Sequence, residues 1–165
     1  MINGDFEYGN LNGWTTYGAY WFAGDHPDGV NYVSSQAGNY DVYYNRGSSI
    51  DYYIQQDVNL ESYLSYISSG NAVLNASGWG VSSEYPNHDL TKIQIIFLDN
   101  SKNVISTPLN TGYLSNNVWR KAEVLKQPIP VNAHYVRMWG NTYENCVNCK
   151  SGSIDSFSVK VGYLE

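Results

Sequence analysis

The stretch "NAVLNASGW", from Asn71 to Trp79, alternates between two kinds of side chain and predicts a β-strand. Neighbouring residues of a strand point to opposite faces of the sheet. Alternation therefore places Leu74 and Ala76 on one face, and Asn75, Ser77 and Trp79 on the other. A long polar segment follows. The ring of Trp79 either closes a core or stacks on a ligand, and the alternation favours the outward position.

Other segments of the chain carry the same kind of signal. Polar turns separate short runs of apolar and β-branched residues, which is typical of a β-sandwich. Only Leu60 to Ile67 has helical spacing, and this segment is a short helix or a loop. The predicted strands are Asp51–Leu60, Asn71–Trp79, Thr91–Asp99, Val118–Leu125, His134–Asn141 and Ser153–Val161, with shorter candidates at "NYVSS" and "NYDVYY".

The strand predicted at His134–Asn141 has a mixed outward face. Val136 and Met138 point to the core, whereas Arg137 and Trp139 point away from it. If this strand and Asn71–Trp79 lie in one sheet, then Asn75, Trp79, Arg137 and Trp139 share one surface. The strand at Thr91–Asp99 is apolar on both faces, so we expect it to be covered on both sides.

Composition limits the classes of ligand. The 165 residues are enough for one domain with a core of its own. The chain has 16 Tyr and 5 Trp, only 15% charged residues and a net charge of -6. Nucleic acid requires basic patches that this sequence lacks. A surface rich in Tyr, Ser and Asn suits neutral polar ligands. No apolar stretch reaches the roughly 20 residues of a membrane span, and no signal peptide is recognised at the start of this sequence.

The sequence contains no motif for catalysis. A glycosidase needs two carboxylates at a set separation, and no motif pairs the acidic residues here. "GDHPDG", from Gly24 to Gly29, could hold a metal, but Pro and Gly favour a plain turn. Cys146 and Cys149 supply half of a zinc site at most, so we interpret them as a small disulfide clasp, which implies an oxidising compartment. We therefore expect a protein that is not an enzyme.

The two ends of the chain resemble a known family. "INGDFEYGNLNGWT" near the start and "GSIDSFSVKV" near the end resemble the galactose-binding-like jelly-roll domains shared by many carbohydrate-binding modules. The resemblance extends over nearly the whole chain, and more distantly includes the F-box-associated glycan-binding domain. It implies an all-β jelly-roll sandwich of two antiparallel sheets, with residues 1–165 as a single domain. It also assigns Trp14 of the first motif to the core.

The resemblance further implies a structural calcium ion near the chain ends. Calcium takes six or more oxygen ligands from carboxylates and carbonyls. By the family pattern, the side chains of Glu7 and Asp155 bind it, and backbone oxygens near Asp5 and near Gly38 or Asn39 complete the shell. The alternative is that Glu7 and Asp155 cap turns.

The resemblance leaves two locations open for a sugar. A site on the concave sheet face would use Asn75, Trp79, Arg137 and Trp139. A site in the loops would use the early aromatic segment with later tyrosines, that is Tyr17, Tyr20, Trp21, Tyr85 and Tyr143. Aromatic rings stack on the apolar faces of sugar rings, and planar polar side chains bond the hydroxyl groups. The candidate ligand-binding residues are Trp79, Trp139, Arg137, Asn75, Trp21 and Tyr85.

The function predicted from the sequence is non-catalytic binding of a glycan or polysaccharide. The protein would serve as a lectin-like protein or as one module of a larger protein, outside the cell or on its surface. The alternative is a protein–protein adhesion or assembly module with the same fold and no sugar site, because exposed aromatic residues serve that role equally well.

Overall fold

Two antiparallel sheets, each of five strands, form the protein. The computed structural model describes residues 1–18, 21–24, 38–44, 51–82, 89–110, 112, 118–144 and 152–164. Sheet A has the order β1 (Thr15–Tyr17), β4 (Asp51–Asn59), β9 (Tyr135–Glu144), β6 (Asp89–Leu98) and β7 (Leu109–Asn110). Sheet B has the order β2 (Trp21–Gly24), β3 (Asp41–Tyr44), β10 (Ser153–Tyr163), β5 (Ala72–Val81) and β8 (Arg120–Pro128).

Most strands that follow one another in the sequence lie in opposite sheets. From β4 to β6 and again from β7 to β10, each connection crosses from one sheet to the other. The all-β jelly-roll sandwich predicted from the sequence is thereby confirmed. The helical content of the described residues is small, with a 3-10 turn at Glu61–Tyr63 followed by the short helix α1 at Leu64–Ser68.

The six longer predicted strands are all present, with ends that differ by a few residues. "NYDVYY" contains β3, whereas "NYVSS" lies outside the described residues. Three strands were not predicted, namely β1, β2 and β7. They are two to four residues long, which is too short for alternation to distinguish them from loops. β1 and β7 pair with longer strands, and β2 pairs with β3, which is also four residues long.

The ring of Phe157 lies between the two sheets at a position where both sheets lack a side chain. A Cβ atom added to Gly78 of β5 would lie 2.8 Å from this ring, and one added to Gly140 of β9 would lie 3.3 Å from it. Gly78 therefore provides space that the phenyl group fills, and Gly140 provides space that the Ile154 side chain and the phenyl group share. Phe157 follows Ser156, whose positive φ of 51° accompanies a bulge in the pairing of β10 with β5.

The N-terminal motif packs on the same ring. Trp14 lies 5.0 Å from Phe157 and 5.2 Å from Phe6, measured between ring centroids. All three side chains are buried. The indole N–H of Trp14 donates to the Asn3 carbonyl at 2.9 Å. The prediction that Trp14 belongs to the core is therefore confirmed.

Hydrogen bonds attach the start of the chain to both sheets. The side chain of Gln56 in β4 accepts from the Ile2 N–H at 2.7 Å and donates to the Ile2 and Gly13 carbonyls. On the other sheet, the Phe157 N–H donates to the Gly4 carbonyl at 2.7 Å. The N-terminal motif thus joins β4 to β10. Within the described part of the chain, no helix has the length and apolarity required to span a membrane.

We expect Phe157→Ala to lower the free energy of unfolding by about 3–5 kcal/mol, because it leaves a cavity against two glycines that cannot fill it. Urea unfolding followed by tryptophan fluorescence measures the change. Tyr8→Ala is the matched control, since Tyr8 is 68% exposed and its loss should change stability by no more than about 0.5 kcal/mol. A loss below about 1 kcal/mol for Phe157→Ala would contradict this account of the core.

Candidate functional site

The outward surface of sheet A, which we call face A, carries a row of aligned side chains. Alternation turns Val136, Met138 and Gly140 of β9 inward, so Trp139 points outward at the centre of the sheet. The strand register then places one residue of each strand in line with it. From one edge to the other, this row is Thr15, Gln55, Trp139, Gln94 and Asn110. The aromatic ring is thus flanked by an amide and a hydroxyl group on one side and by two amides on the other.

Three aromatic rings meet on face A. Tyr17 of β1 is directly opposite Tyr53 of β4, and the two rings stack with centroids 5.0 Å apart and an interplanar angle of 7°. Trp139 meets Tyr53 edge to face, at 5.0 Å and 83°. The rings therefore form a corner with two differently oriented faces. Tyr17 is 55% exposed, and Tyr53 and Trp139 are half-buried.

An ion pair borders the aromatic rings. Arg137 of β9 faces Asp57 of β4, and its Nε and Nη2 atoms donate to the two carboxylate oxygens at 2.6 and 3.0 Å. The Lys102 amine lies 3.2 Å from the same carboxylate and 5.2 Å from the centroid of the Tyr135 ring. This arrangement is the bidentate geometry in which Arg holds a carboxylate best. It fixes the side chains at this end of face A.

The electrostatic balance at Asp57 follows from these contacts. Partial burial raises the pKa of its carboxyl group, but the hydrogen bonds and charges of Arg137 and Lys102 outweigh burial and hold the pKa below its usual range. The hydrogen bonds that Arg137 donates to Asp57 raise the pKa of Arg137 by more than burial lowers it. Both groups are therefore charged at neutral pH, and the carboxylate is engaged in structure.

A groove of about 220 Å³ adjoins the ion pair. It is lined by Gly13, Thr15, Gln55, Gln56, Asp57 and Lys102. Its volume is below the roughly 300–1,000 Å³ of enclosed small-molecule pockets. Where the structure describes it, face A is thus an open surface with a shallow depression beside the ion pair, which suits a ligand that lies across the sheet.

The polar groups beneath the surface are unevenly satisfied. Asn141, one step along β9 from Gly140, is buried and donates to the Tyr52 carbonyl at 3.1 Å. The indole N–H of Trp139 is buried and has no acceptor among the described residues. Buried indole N–H groups usually donate to a hydrogen-bond acceptor. The tryptophan at the centre of face A therefore keeps a hydrogen-bond donor that the described residues do not use.

The neighbouring strand β6 is covered on both sides, as its sequence predicts. Its inward residues Ile93, Ile95 and Phe97 belong to the core, and its outward residues Ile96 and Leu98 are also buried. Face A is consequently accessible mainly over β1, β4 and β9.

The structure separates the residues predicted to share one sheet face. Arg137 and Trp139 lie on face A, whereas Asn75 and Trp79 lie on β5 in sheet B. Because the two sheets pack face to face, their outward surfaces point in opposite directions. The four residues therefore do not form one surface. On sheet B, Trp79 is half-buried and pairs in register with Asp155 and Lys121.

The residues predicted for a sugar site in the loops also lie in different places. Trp21 is 7% exposed and belongs to the core, and its indole N–H donates to the Tyr17 carbonyl at 3.0 Å. Its assignment as a ligand-binding residue was wrong, because β2 turns Trp21 inward and exposes Phe22 instead. Tyr17 joins face A. Tyr85 and Tyr20 lie outside the described residues, as do Cys146 and Cys149.

The proposed calcium ligands are only partly brought together. Glu7 lies against Gly38, and its carboxylate accepts the N–H groups of Asn39 and Tyr40 at 2.9–3.1 Å. Asp155 is fully buried, and its Oδ1 atom accepts from the Ser156 N–H and hydroxyl. Asp5 accepts the Glu7 N–H at 3.4 Å.

Calcium requires a shell of oxygen atoms, whereas the backbone at residues 39 and 40 presents N–H groups to Glu7. Within the part of the chain that the structure describes, no three His, Cys, Asp or Glu side chains are grouped to hold a metal. Calcium binding therefore stays a prediction.

Sequence reasoning missed several residues of face A. They are Thr15, Tyr53, Gln55, Asp57, Gln94, Lys102 and Asn110. Alternation within Asp51–Leu60 already places Tyr53, Gln55 and Asp57 on one face. The missing information was the register that aligns them with Trp139, and a single sequence does not contain it.

Comparison with known proteins gives a clear result for the fold. No protein-family model and no curated protein sequence matches the chain. Several solved structures match the chain. TmCBM61 in complex with β-1,4-galactotriose matches with a TM-score of 0.65 and 14% identity, over 97% of this chain and 96% of that one. The C-terminal family 22 carbohydrate-binding module of Clostridium thermocellum Xyn10B gives 0.63 and 16%, over 100% and 98%.

An enzyme shares the fold. A cyclase from Fischerella sp. TAU, in complex with 4-(1H-indol-3-yl)butan-2-one, matches with a TM-score of 0.67 and 11% identity, over 100% of this chain and 97% of that one. Identities this low establish the fold and leave the function to the site. The chain has the jelly-roll β-sandwich fold of carbohydrate-binding modules, as its terminal motifs predict.

We expect Asp57→Asn to lower the free energy of unfolding at pH 7 by about 1–2 kcal/mol, since it removes a bidentate, half-buried ion pair. The folded-state pKa of Asp57 is depressed, so its stabilising effect is present above the unfolded value of about 3.9 and is lost as the pH falls through the folded value. Urea unfolding of both proteins across this range should give curves that converge below about pH 4. A difference that persists at pH 2 would contradict this account of the pair.

Proposed function

We propose that face A binds a carbohydrate chain without catalysis. The observation that carries this proposal is the cluster of Tyr17, Tyr53 and Trp139, set in the middle of a row of amide and hydroxyl side chains. Ligands of this kind need apolar faces to stack on and planar polar groups to bond hydroxyls. Face A offers both over an open surface. The proposal is also supported by the fold, which this chain shares with carbohydrate-binding modules.

The aromatic corner would provide most of the binding energy. Stacking of a sugar ring on Trp139 or Tyr17 removes apolar surface from water at roughly 25 cal/mol per Å². The two ring orientations, related by 83° at Tyr53 and Trp139, would contact different faces of the ligand.

The polar residues would determine which sugar is accepted. Gln55 flanks Trp139 in register on the accessible side of face A, so hydroxyls at that edge of a stacked ring would meet its amide. Asp57 and Arg137 hold each other in place and so present fixed oxygen and nitrogen atoms. Side chains that are already ordered lose little conformational entropy on binding, and this favours affinity.

Asp57 argues for binding and against glycoside hydrolysis. Hydrolysis needs a second carboxyl group at a set distance and, for the acid, a raised pKa. Asp57 is the one carboxylate among the described side chains of face A, and its pKa is lowered. We further propose that the protein acts outside the cell or at its surface, as a lectin-like protein or as one module of a larger protein.

Trp139→Ala should weaken binding at least about tenfold, because it removes the central stacking ring, while the protein remains folded. Isothermal titration calorimetry with β-1,4-galactotriose and xylo-oligosaccharides, after a glycan array has chosen the best ligand, measures the change. Trp79→Ala is the matched control, since it removes the same side chain from the opposite sheet and should leave affinity unchanged. Tyr17→Ala tests the exposed edge of the cluster without touching the core.

Two results would overturn the proposal. One is equal loss of binding in both tryptophan variants. The other is no binding to a broad array by folded protein, which would favour the protein-interaction alternative.

Calcium binding is tested separately from sugar binding. If the ion binds, calcium at about 100 times its Kd should stabilise the fold by about 2.7 kcal/mol, and EDTA should reverse the effect. Glu7→Gln should abolish that response and leave binding by face A intact, because Glu7 lies at Gly38, away from sheet A. A melting temperature unaffected by calcium and EDTA would rule the ion out.

A further inference from the structure

Among the described residues, one side of strand β10 has no partner strand over much of its length. β10 pairs with β5 from Ser153 to Tyr163, but with β3 only at Ser153 and Ile154. Beyond that point, the Phe157 N–H donates to the Gly4 carbonyl, and the described residues provide no further strand on this side.

The backbone groups that face this open side can be identified. The Leu164 N–H donates to the Asn71 carbonyl on the β5 side at 2.8 Å, whereas the Phe157 N–H points to the other side. Backbone groups along a strand alternate in direction. The N–H and C=O groups of Val159, Val161 and Tyr163 therefore point away from β5, and no described residue pairs with them.

A groove of about 460 Å³ runs along this open edge. Val159, Lys160 and Val161 form one wall. The opposite wall consists of the end of β4 and the 3-10 turn, that is Val58, Asn59, Leu60 and Tyr63, with Met1 beside them. The groove is thus recessed between two walls, which admits a single extended chain more readily than the strand of a second folded copy.

We propose that this groove binds an extended peptide segment of a partner protein, which adds a strand to β10 at Val159–Tyr163. Addition of a strand to an open edge is a common mode of peptide recognition, since the main-chain bonds provide affinity and alternate side chains provide specificity. This interaction is independent of carbohydrate binding by face A.

The walls define the chemistry of the peptide. Val159 and Val161 point inward and pack against the core, so peptide residues opposite them must be apolar. Lys160 points outward, is exposed and forms no ion pair among the described residues. An acidic residue opposite Lys160 would form a favourable cross-strand pair. The preferred segment therefore alternates apolar and acidic residues.

The probe is the acetylated and amidated peptide TVEVEVT, titrated into the ¹⁵N-labelled protein. We expect saturable shifts at residues 157–163 and 58–63. N-methylation of the central valine of the peptide removes an N–H that faces β10, and should weaken binding about tenfold or more. N-methylation of a glutamate removes an N–H that faces away, and serves as the matched control with affinity changed less than about threefold.

Lys160→Glu provides the second arm. This substitution should weaken the binding of TVEVEVT and strengthen the binding of TVKVKVT, each by about three- to tenfold in affinity. Three results would overturn the proposal: no shifts at millimolar peptide, shifts located on face A, or equal effects of the two methylated peptides. A dimer in sedimentation that Lys160→Glu dissociates would also overturn it, because β10 would then pair with a second copy.

Discussion

The fit of Phe157 between Gly78 and Gly140 is the constraint on which the rest of the sandwich depends. The ring fills space in both sheets at once, and Phe6 and Trp14 of the first motif pack on its side. A larger residue at Gly78 would push against the phenyl group, and one at Gly140 would push against Ile154 first. The distance between the sheets is therefore set here, and the chain start is held at the same point through the carbonyl of Gly4.

The packing at Gly140 also determines which side chains point outward on face A. Gly140 turns inward beneath Phe157, so its neighbour Trp139 must turn outward on β9. The pairing of β9 with β4 then places Tyr53, Gln55 and Asp57 alongside it. The ion pair between Asp57 and Arg137 restrains one end of this surface, and the stacked tyrosines restrain the edge. A residue chosen for packing thus orients the residues available for binding.

The sequence predicted what depends on local alternation and could not predict what depends on pairing. The inward positions of β5, β6 and β9 were correct, because a period of two needs no knowledge of neighbouring strands. The grouping of Trp79 with Trp139 failed, because sheet membership is decided by contacts between residues far apart in the chain. Trp21 was misjudged for a related reason, since its strand is four residues long and is ordered by β3. Gln55 and Gln94 were not predicted as site residues, because only the strand register shows that they lie beside Trp139.

The register of sheet A also sets a length scale. Adjacent strands lie about 4.8 Å apart, and the row from Thr15 to Asn110 crosses all five strands of the sheet. A polymer that lies across the accessible strands would meet Thr15, Gln55 and Trp139 in turn, at steps of about 4.8 Å. If face A binds such a polymer, it would distinguish ligands by the spacing of their repeating units as well as by the identity of any one unit. The distance between adjacent strands, which the backbone hydrogen bonds fix, would then set the spacing that a ligand must match.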